Sequence, residues 1–296
     1  MKIQTARRMD AVSGTHKSLV YYLGQFVRYV VLIAIGIVLF TPLVLAALGT
    51  FKTDSEIIAY PPKFLPAQWL VGNWGRVWST DIGNGGTFPR WLFNTAFLAV
   101  TTAVLAAIFC SMAAYAFARM QFPGRDLVFT FMMATLMIPA AVRLIPGYVL
   151  MTKLHLINNF GAVIWPAAAT AASIFVLTQF FKAIPKDLEE AALMDGASHF
   201  QIYSQVIVPL ARPALLTVII LEFQGMWNKF LEPLLYLNSA DKYVLNVALS
   251  IFQQQFKAQW NLTLVGAMFN AIPVLVMFFI FSKYYIEGVA YTGIKG

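Results

Sequence analysis

The sequence predicts an all-α integral membrane protein with six transmembrane helices. Of its 296 residues, 59% are hydrophobic and only 11% are charged, and the mean hydropathy is +0.70. Soluble globular domains carry about 25% charged residues, so most of this chain must face lipid or packed neighbouring helices. Several apolar runs also reach the roughly 20 residues that an α-helix needs to cross the hydrocarbon core of a bilayer.

These runs predict a membrane domain of residues 29–285, flanked by a basic tail (1–28) and a short C-terminal tail (286–296). Pro139 and Pro146 predict a kink or a break in the third span. The segment 51–91 is rich in proline and tryptophan and is not expected to form a regular helix. The six predicted spans cover residues 29–48, 92–117, 127–151, 160–181, 213–237 and 262–285.

The distribution of Lys and Arg predicts which side of the membrane each connection faces. The N-terminal tail is basic, and the loops on the opposite side carry fewer basic residues in total. Because cytoplasmic connections are enriched in Lys and Arg, both termini are expected in the cytoplasm. The short connections on the same side as the termini carry Arg119, Arg125, Lys182, Lys186 and Arg212.

The longest polar, helix-forming segment, residues 184–212, lies between the fourth and fifth predicted spans. Pro185 is expected in the first turn of a short helix, followed by acidic side chains that favour the positive end of the helix dipole. Gly196 is expected to end this helix in a left-handed conformation. Ser198 and Gln201 then fit a capping box for a second helix, which Pro209 interrupts. The segment is too polar and too short to span a bilayer.

Residues 184–212 resemble the EAA motif of ABC-importer permeases, EAA-x3-G-x9-I-x-L-P, and are called the EAA segment below. The acid, both alanines, the glycine and the proline are in place, with valines where Ile and Leu are usual. The resemblance implies a cytoplasmic coupling helix seated in a cleft on an ATPase subunit. The alternative is a surface helix pair without a partner. The predicted ATPase-coupling residues are Glu190, Ala191, Ala192, Asp195 and Gly196.

Other strings are similar to the same family, namely FKTDSEIIAYPPKFLP, YAFARMQFPGR, WNKFLEPLLYL and VAYTGIKG. They imply a permease subunit of a maltose-type carbohydrate ABC importer in the bacterial inner membrane. The implied partners are a second homologous permease, two ATPase subunits that bind ATP and Mg²⁺, and a substrate-binding protein outside. That protein is expected to dock on residues 51–91 and 238–261. The C-terminal tail either reaches between the ATPase subunits or is disordered.

Charged residues inside the predicted spans are candidates for a translocation path, because unpaired charge within a membrane is costly. Lys229 and Glu232 are three residues apart and could form a structural pair on one helix. In the functional interpretation they line the path, where aromatic faces and polar groups suit sugar rings and hydroxyls. Arg143 could instead extend to the lipid headgroups. The predicted path residues are Arg143, Trp227, Asn228, Lys229 and Glu232.

Two of these positions differ from the pattern of the family that the chain resembles. An acid usually stands at the position of Lys229, and an uncharged residue is commoner at the position of Arg143. Two additional positive charges near a sugar path favour an anionic substrate. We therefore expect an acidic oligosaccharide such as a fragment of a uronate polymer, for which alginate importers are the nearest named fit.

The sequence contains no motif for catalysis or nucleotide binding of its own. It has no GxxxxGK[ST] phosphate loop, HExxH, CxxC or nucleophile elbow, so no catalytic residue, cofactor or metal is expected in this chain. The basic residues are scattered among apolar runs, which argues against a nucleic-acid partner. The alternatives are an ion-coupled secondary transporter of a small polar solute and a membrane enzyme. The former needs protonatable groups in mid-membrane, for which Glu222 and Glu232 are the candidates.

Overall fold

The computed structural model describes residues 19–255 and 259–293, with the side chains of 21–251 and 259–281. The described chain is helical without a strand, and a single β-bridge joins Asp81 to Thr87. Four helices are long and apolar enough to cross a membrane, or six spans if each of two bent helix pairs counts as one. The predicted all-α polytopic architecture is confirmed. Most of the predicted N-terminal tail and the last three residues of the C-terminal tail lie outside the described residues.

The first span is a single long helix, and short helices follow it on the predicted outer side. Helix α1 covers Leu19–Gly49, so it begins earlier than the predicted span at residue 29. The proline-rich segment contains only α2 (Asp54–Ile57) and α3 (Gly72–Trp78). The second span, α4 (Phe88–Arg119), is the longest helix with a fully described interior.

The third span is broken at Pro139, as predicted, but not at Pro146. Helix α5 covers Arg125–Ala134 and continues into a 3₁₀ turn at Thr135–Met137. Pro139 then caps α6 (Ala140–Lys153), which is bent by 107° from the preceding helical segment. Pro146 lies inside α6 and does not end it. A proline at a helix start sacrifices no intrahelical hydrogen bond, which explains why the break occurs at Pro139.

The fourth span also consists of two helical pieces, α7 (Gly161–Ala167) and α8 (Ala171–Ala183). Between them Thr170 adopts an extended conformation and its hydroxyl accepts a hydrogen bond from the Ser173 N–H. This cap satisfies one of the free amide groups at the start of α8. The break therefore places polar backbone and side-chain groups where the sequence predicts a continuous apolar helix.

The EAA segment folds into a compact group of short helices. Helix α9 (Asp187–Met194) ends before Gly196, whose φ of 85° confirms the left-handed cap. Pro185 precedes this helix instead of lying in its first turn. The Ser198–Gln201 capping box is present at α10 (His199–Gln201), and a π-helical stretch, Ile202–Ile207, leads into α11 (Val208–Leu210).

The bend after the EAA segment differs from the prediction that Pro209 interrupts the second helix. Pro209 lies within α11, and the chain turns at Ala211, where α12 (Arg212–Trp227) leaves at 80°. The fifth span then breaks, because α12 ends at Trp227 and α13 covers Leu231–Tyr236. The chain ends with α14 (Leu245–Gln255) and α15 (Trp260–Gly293), which runs past the predicted end of the sixth span.

Helix α4 is the centre of the fold and packs against both α8 and α12. Its buried face consists largely of small residues, which let neighbouring backbones approach closely. Because lipid offers apolar surface as well as protein does, such close packing is what holds membrane helices together. The small buried residues of α4 are Ala99, Ala103, Ala106, Cys110, Ser111 and Ala114.

Candidate functional site

A cavity of about 420 Å³ lies among α4, α6, α7, α12 and α13 and is called the central cavity below. It forms where the third, fourth and fifth spans are broken. Gly147 makes room within it, since a Cβ there would lie 2.8 Å from the Tyr236 hydroxyl. Its polar wall contains Thr102, Arg143, Thr170, Glu222, Lys229, Glu232 and Tyr236.

Lys229 and Glu232 lie in the cavity wall and pair with each other. Lys229 Nζ is 3.4 Å from Glu232 Oε1, as the sequence predicts. The two residues are not on one continuous helix, however, because Lys229 lies in the break between α12 and α13. The pair is partly exposed, so neither charge is locked in place. The structure shows the pair and its place in the cavity wall, and the role of these residues in a translocation path stays a prediction.

Arg143 also lies in the cavity wall, close to the 107° bend at the start of α6. It is exposed, and it forms no ion pair with any residue that the structure describes. A guanidinium can donate two parallel hydrogen bonds to one carboxylate.

Trp227 and Asn228 are the two predicted path residues that the structure does not place in the cavity wall. Trp227 is only 2% exposed, and its indole N–H donates to the carbonyl and side-chain oxygens of Asn270 at 3.0 and 2.9 Å. The Asn228 amide donates back to the Gln224 carbonyl at 2.9 Å. Trp227 therefore packs in the core. Asn228 is the C-terminal cap of α12, which ends at Trp227.

Glu222 is a cavity residue that the predicted site omitted. Its Oε1 atom accepts hydrogen bonds from the Thr170 and Ser173 hydroxyls at 2.6 and 2.5 Å. The sequence shows an acid within an apolar run, and that signal was visible. Its partners were not predictable, because the break before α8 is what brings Thr170 to this position.

The predicted coupling residues form an exposed surface on α9 and the turn after it. Glu190, Ala191, Asp195 and Gly196 are exposed, whereas Ala192 is partly buried against the core. Apolar side chains are exposed beside them, and Met194 is 88% exposed. An exposed apolar patch around charged residues is typical of a protein-protein contact. The other exposed apolar residues of this surface are Leu188, Leu193 and Phe200.

Arg119 joins this surface to the membrane helices, and the sequence did not single it out as functional. Its side chain is 3% exposed, and its Nε lies 2.7 Å from Glu189 Oε1 in an ionic contact without hydrogen-bond alignment. Its Nη2 donates to the carbonyl oxygens of Phe181 and Ile184, both at 2.6 Å. One side chain thus connects the end of α4, the end of α8 and the start of α9.

The two segments predicted to dock a binding protein lie against each other. The Asp54 carboxylate accepts from the Asn261 N–H at 3.0 Å, and the Trp91 indole N–H donates to the Ala240 carbonyl at 2.8 Å. Within the first segment, the backbone N–H groups of Thr53 and Ala67 hold the pKa of Glu56 below its ordinary value. The segments form one surface, although residues 256–258 lie outside the described part.

A family model described as a binding-protein-dependent transport system inner membrane component matches residues 111–287. The chain belongs to this family. The matched residues include the whole EAA segment and all but one of the residues that line the central cavity. The permease is therefore an integral membrane protein of a class whose members are subunits of transporters and not enzymes.

Similar proteins include permease subunits of transport systems with different named substrates. The arabinooligosaccharides transport system permease protein AraQ of Bacillus subtilis (strain 168) is 32% identical, covering 86% of this chain and 90% of AraQ. The sn-glycerol-3-phosphate transport system permease protein UgpE of Yersinia pestis bv. Antiqua (strain Antiqua) is 28% identical, covering 90% and 95%.

A chain in the crystal structure of a bacterial ABC transporter involved in the import of the acidic polysaccharide alginate is also similar. It superposes with a TM-score of 0.77 at 26% identity, covering 90% of this chain and 98% of that one. The permease thus belongs to a family of ABC importer permeases, some of whose named members transport oligosaccharides. This family membership argues against the two alternatives, an ion-coupled secondary transporter and a membrane enzyme.

Proposed function

We propose that this permease carries an acidic oligosaccharide across the bacterial inner membrane as one of two homologous membrane subunits. In this proposal both termini face the cytoplasm, and two ATPase subunits that bind ATP and Mg²⁺ sit beneath the EAA segment. A substrate-binding protein docks on the opposite surface, formed by residues 51–91 and 238–261. Closure of the ATPase pair moves α9, and the attached spans open the cavity to one side and then to the other.

The free guanidinium of Arg143 in the central cavity carries the proposal of an acidic substrate. Both carboxylates of the cavity are already engaged, Glu232 by Lys229 and Glu222 by two hydroxyl groups. Among the described residues Arg143 has no ion-pair partner, and its planar fork matches a carboxylate. The names of two similar proteins also include anionic cargo, sn-glycerol-3-phosphate and alginate.

Replacement of Arg143 with leucine tests the charge preference. We expect uptake of an alginate trisaccharide to fall about tenfold, the value of one charge-assisted hydrogen bond, while any uptake of maltotriose is unchanged. Lys229→Glu should also reduce uronate uptake, because it repels the carboxylate and leaves Glu232 unpaired. The measurement is uptake of each labelled trisaccharide by the complete importer in proteoliposomes. Equal competition by maltotriose and the uronate in the wild type would contradict the proposed substrate class.

Crosslinking tests the proposed contact between the EAA segment and an ATPase. The natural sequence contains one cysteine, Cys110, which is buried and should not react. A cysteine that replaces exposed Ala191 should be captured by a cysteine placed in the ATPase cleft. The same change at the partly buried Ala192 should react more slowly and serves as the matched control. Capture of no nucleotide-hydrolysing subunit from Ala191→Cys would defeat the proposed arrangement.

A further inference from the structure

Glu222 is a carboxylate within the fifth span that lacks a cation partner. It forms no ion pair with any residue that the structure describes. Lys229, the nearest basic residue along the same span, pairs with Glu232 instead. A charged side chain within a membrane is costly, and such residues usually face a partner or a water-filled cavity. Charge neutralisation therefore does not explain the position of Glu222.

Two hydroxyl groups hold one oxygen of this carboxylate. The Thr170 and Ser173 hydroxyls donate to Glu222 Oε1 at 2.6 and 2.5 Å. Both donors lie at the start of α8, which the break in the fourth span places against α12. The Thr170 hydroxyl is itself fixed, because it accepts a hydrogen bond from the Ser173 N–H. Two hydrogen bonds to the same oxygen restrict the rotation of the carboxylate.

The second oxygen of Glu222, Oε2, is open to the central cavity. It has no hydrogen-bond partner among the described side chains and backbone groups, yet it is not one of the buried polar atoms that lack a partner. It therefore has accessible surface. Glu222, Gly225 and Met226 lie on one face of α12, three and four positions apart, and all three line the cavity. The wall thus presents a carboxylate oxygen whose direction is fixed from behind.

An open carboxylate oxygen requires a ligand that donates a hydrogen bond. A sugar hydroxyl can donate one, and hydrogen bonds to an ionised acceptor are about twice as strong as neutral ones. A divalent cation fits poorly, since the described part of the chain contains no group of three or more His, Cys, Asp or Glu side chains. A substrate carboxylate would be repelled. In a linked uronate ring, however, the free hydroxyl groups and the carboxylate lie on opposite edges, so the hydroxyl edge can face Glu222.

We propose that Glu222 Oε2 binds a hydroxyl group of the translocated saccharide, with Thr170 and Ser173 as positioning residues. The inference rests on the proposed function of sugar transport and adds a substrate contact on this subunit. It involves one oxygen atom of the cavity wall and requires no negative charge on the substrate. It is therefore tested independently of the charge preference assigned to Arg143.

Glu222→Gln is the variant that tests this contact. Glutamine has nearly the same shape, and its amide oxygen can accept from both hydroxyl groups. The cavity then receives an NH₂ donor in place of the charged acceptor. If the amide is turned over, the cavity receives only a neutral acceptor. The matched control is Asp126→Asn, which makes the same chemical change at a carboxylate that is 86% exposed and lies outside the cavity.

The measurement is sugar uptake by the complete importer in proteoliposomes. Alginate trisaccharide, maltotriose and arabinotriose are compared first, and then the monodeoxy analogues of the imported sugar, one for each free hydroxyl group. We expect the wild type to import one analogue about tenfold less than its parent, and Glu222→Gln to import the two equally. Asp126→Asn should discriminate as the wild type does. The preference of the binding protein is the same in all variants, so it cancels in this comparison.

The results separate the subsite from the proposed function. Loss of the tenfold difference in Glu222→Gln supports the subsite, even if maltotriose is imported in place of the uronate and the acidic preference fails. Differences that are the same in Glu222→Gln and the wild type would overturn the subsite, whether or not total uptake falls, while import of the uronate would still support the proposed function. Absence of uptake of all three sugars by the wild type would refute sugar transport, and the subsite with it.

A second measurement on the wild type decides the question if Glu222→Gln does not assemble. A water-soluble carbodiimide with glycine methyl ester should modify Glu222, because Oε2 is accessible from the cavity. The imported trisaccharide, supplied with the binding protein, should protect it, and mass spectrometry measures the modified fraction. A Glu222 that is not modified, or that is modified equally with and without the sugar, would overturn the subsite.

Discussion

Replacement of Arg119 with methionine is expected to abolish most of the transport activity. The change leaves Glu189, whose side chain is 14% exposed, without its cation and removes the donor to two carbonyl oxygens. Removal of one partner from a buried ion pair costs about 3–5 kcal/mol, a large part of the stability of most domains. Because Arg119 joins α4, α8 and α9, the loss should be concentrated where the EAA segment meets the membrane helices. Uptake, ATP hydrolysis and the amount of assembled complex should be measured together.

Two further variants make the Arg119 result specific. Arg125 pairs with Asp126 at 2.9 Å on an exposed turn, so Arg125→Met should cost no more than about 1 kcal/mol and leave transport intact. The double variant Arg119→Met with Glu189→Leu removes both charges and should recover assembly but not full transport. Normal transport by Arg119→Met would show that this connection has no part in coupling.

Charge reversal at Glu190 is expected to separate ATP hydrolysis from transport without loss of the protein from the membrane. Glu190 is exposed, and changes at exposed positions usually alter stability by no more than about 0.5 kcal/mol. A fall in uptake of tenfold or more in Glu190→Lys, a size typical of a lost charged contact at an interface, would therefore report on the partner. The measurement is the number of sugar molecules imported per ATP hydrolysed, at equal amounts of permease.

Gly196→Val tests the turn of the same surface. A Cβ at Gly196 would meet no atom within 4 Å, so the cost arises from the positive φ of 85° alone. That strain is about 1–2 kcal/mol, enough to displace the turn after α9 but not to unfold the membrane helices. We expect uncoupled hydrolysis, as in Glu190→Lys. Asp126→Lys, which changes an exposed acid away from the EAA segment, is the matched control. Wild-type transport in both EAA variants would defeat the coupling model.

Local rules predicted the EAA segment well because its structure depends on nearest neighbours. The left-handed turn at Gly196 and the capping box of Ser198 and Gln201 follow from backbone freedom and from hydrogen bonds over three residues. The same rules could not distinguish among prolines. Pro139 lies at a helix break, whereas Pro146 and Pro209 lie within helical turns, because packing decides whether a freed carbonyl is compensated.

The central cavity was only partly predictable for a different reason. Lys229, Glu232 and Arg143 were visible as charges within apolar runs, and all three lie in its wall. Trp227 was predicted beside them, yet α12 directs it into the core, where its N–H reaches Asn270. Whether a residue lines the cavity depends on the direction of its side chain after a helix break. Hydropathy does not predict that direction.

The amino-acid sequence by itself determined that this protein is a helical membrane permease with a polar EAA segment between its fourth and fifth spans. Hydropathy, the distribution of basic residues and helix-capping patterns each involve only a few neighbouring residues or one span. They can therefore be recognised in the sequence without knowledge of the tertiary structure. Only the tertiary structure decided where the spans break, which charges meet, and that Thr170 and Ser173 hold Glu222 in the cavity wall. Those features depend on contacts between α4, α8 and α12, which lie far apart in sequence and meet only when the helices pack.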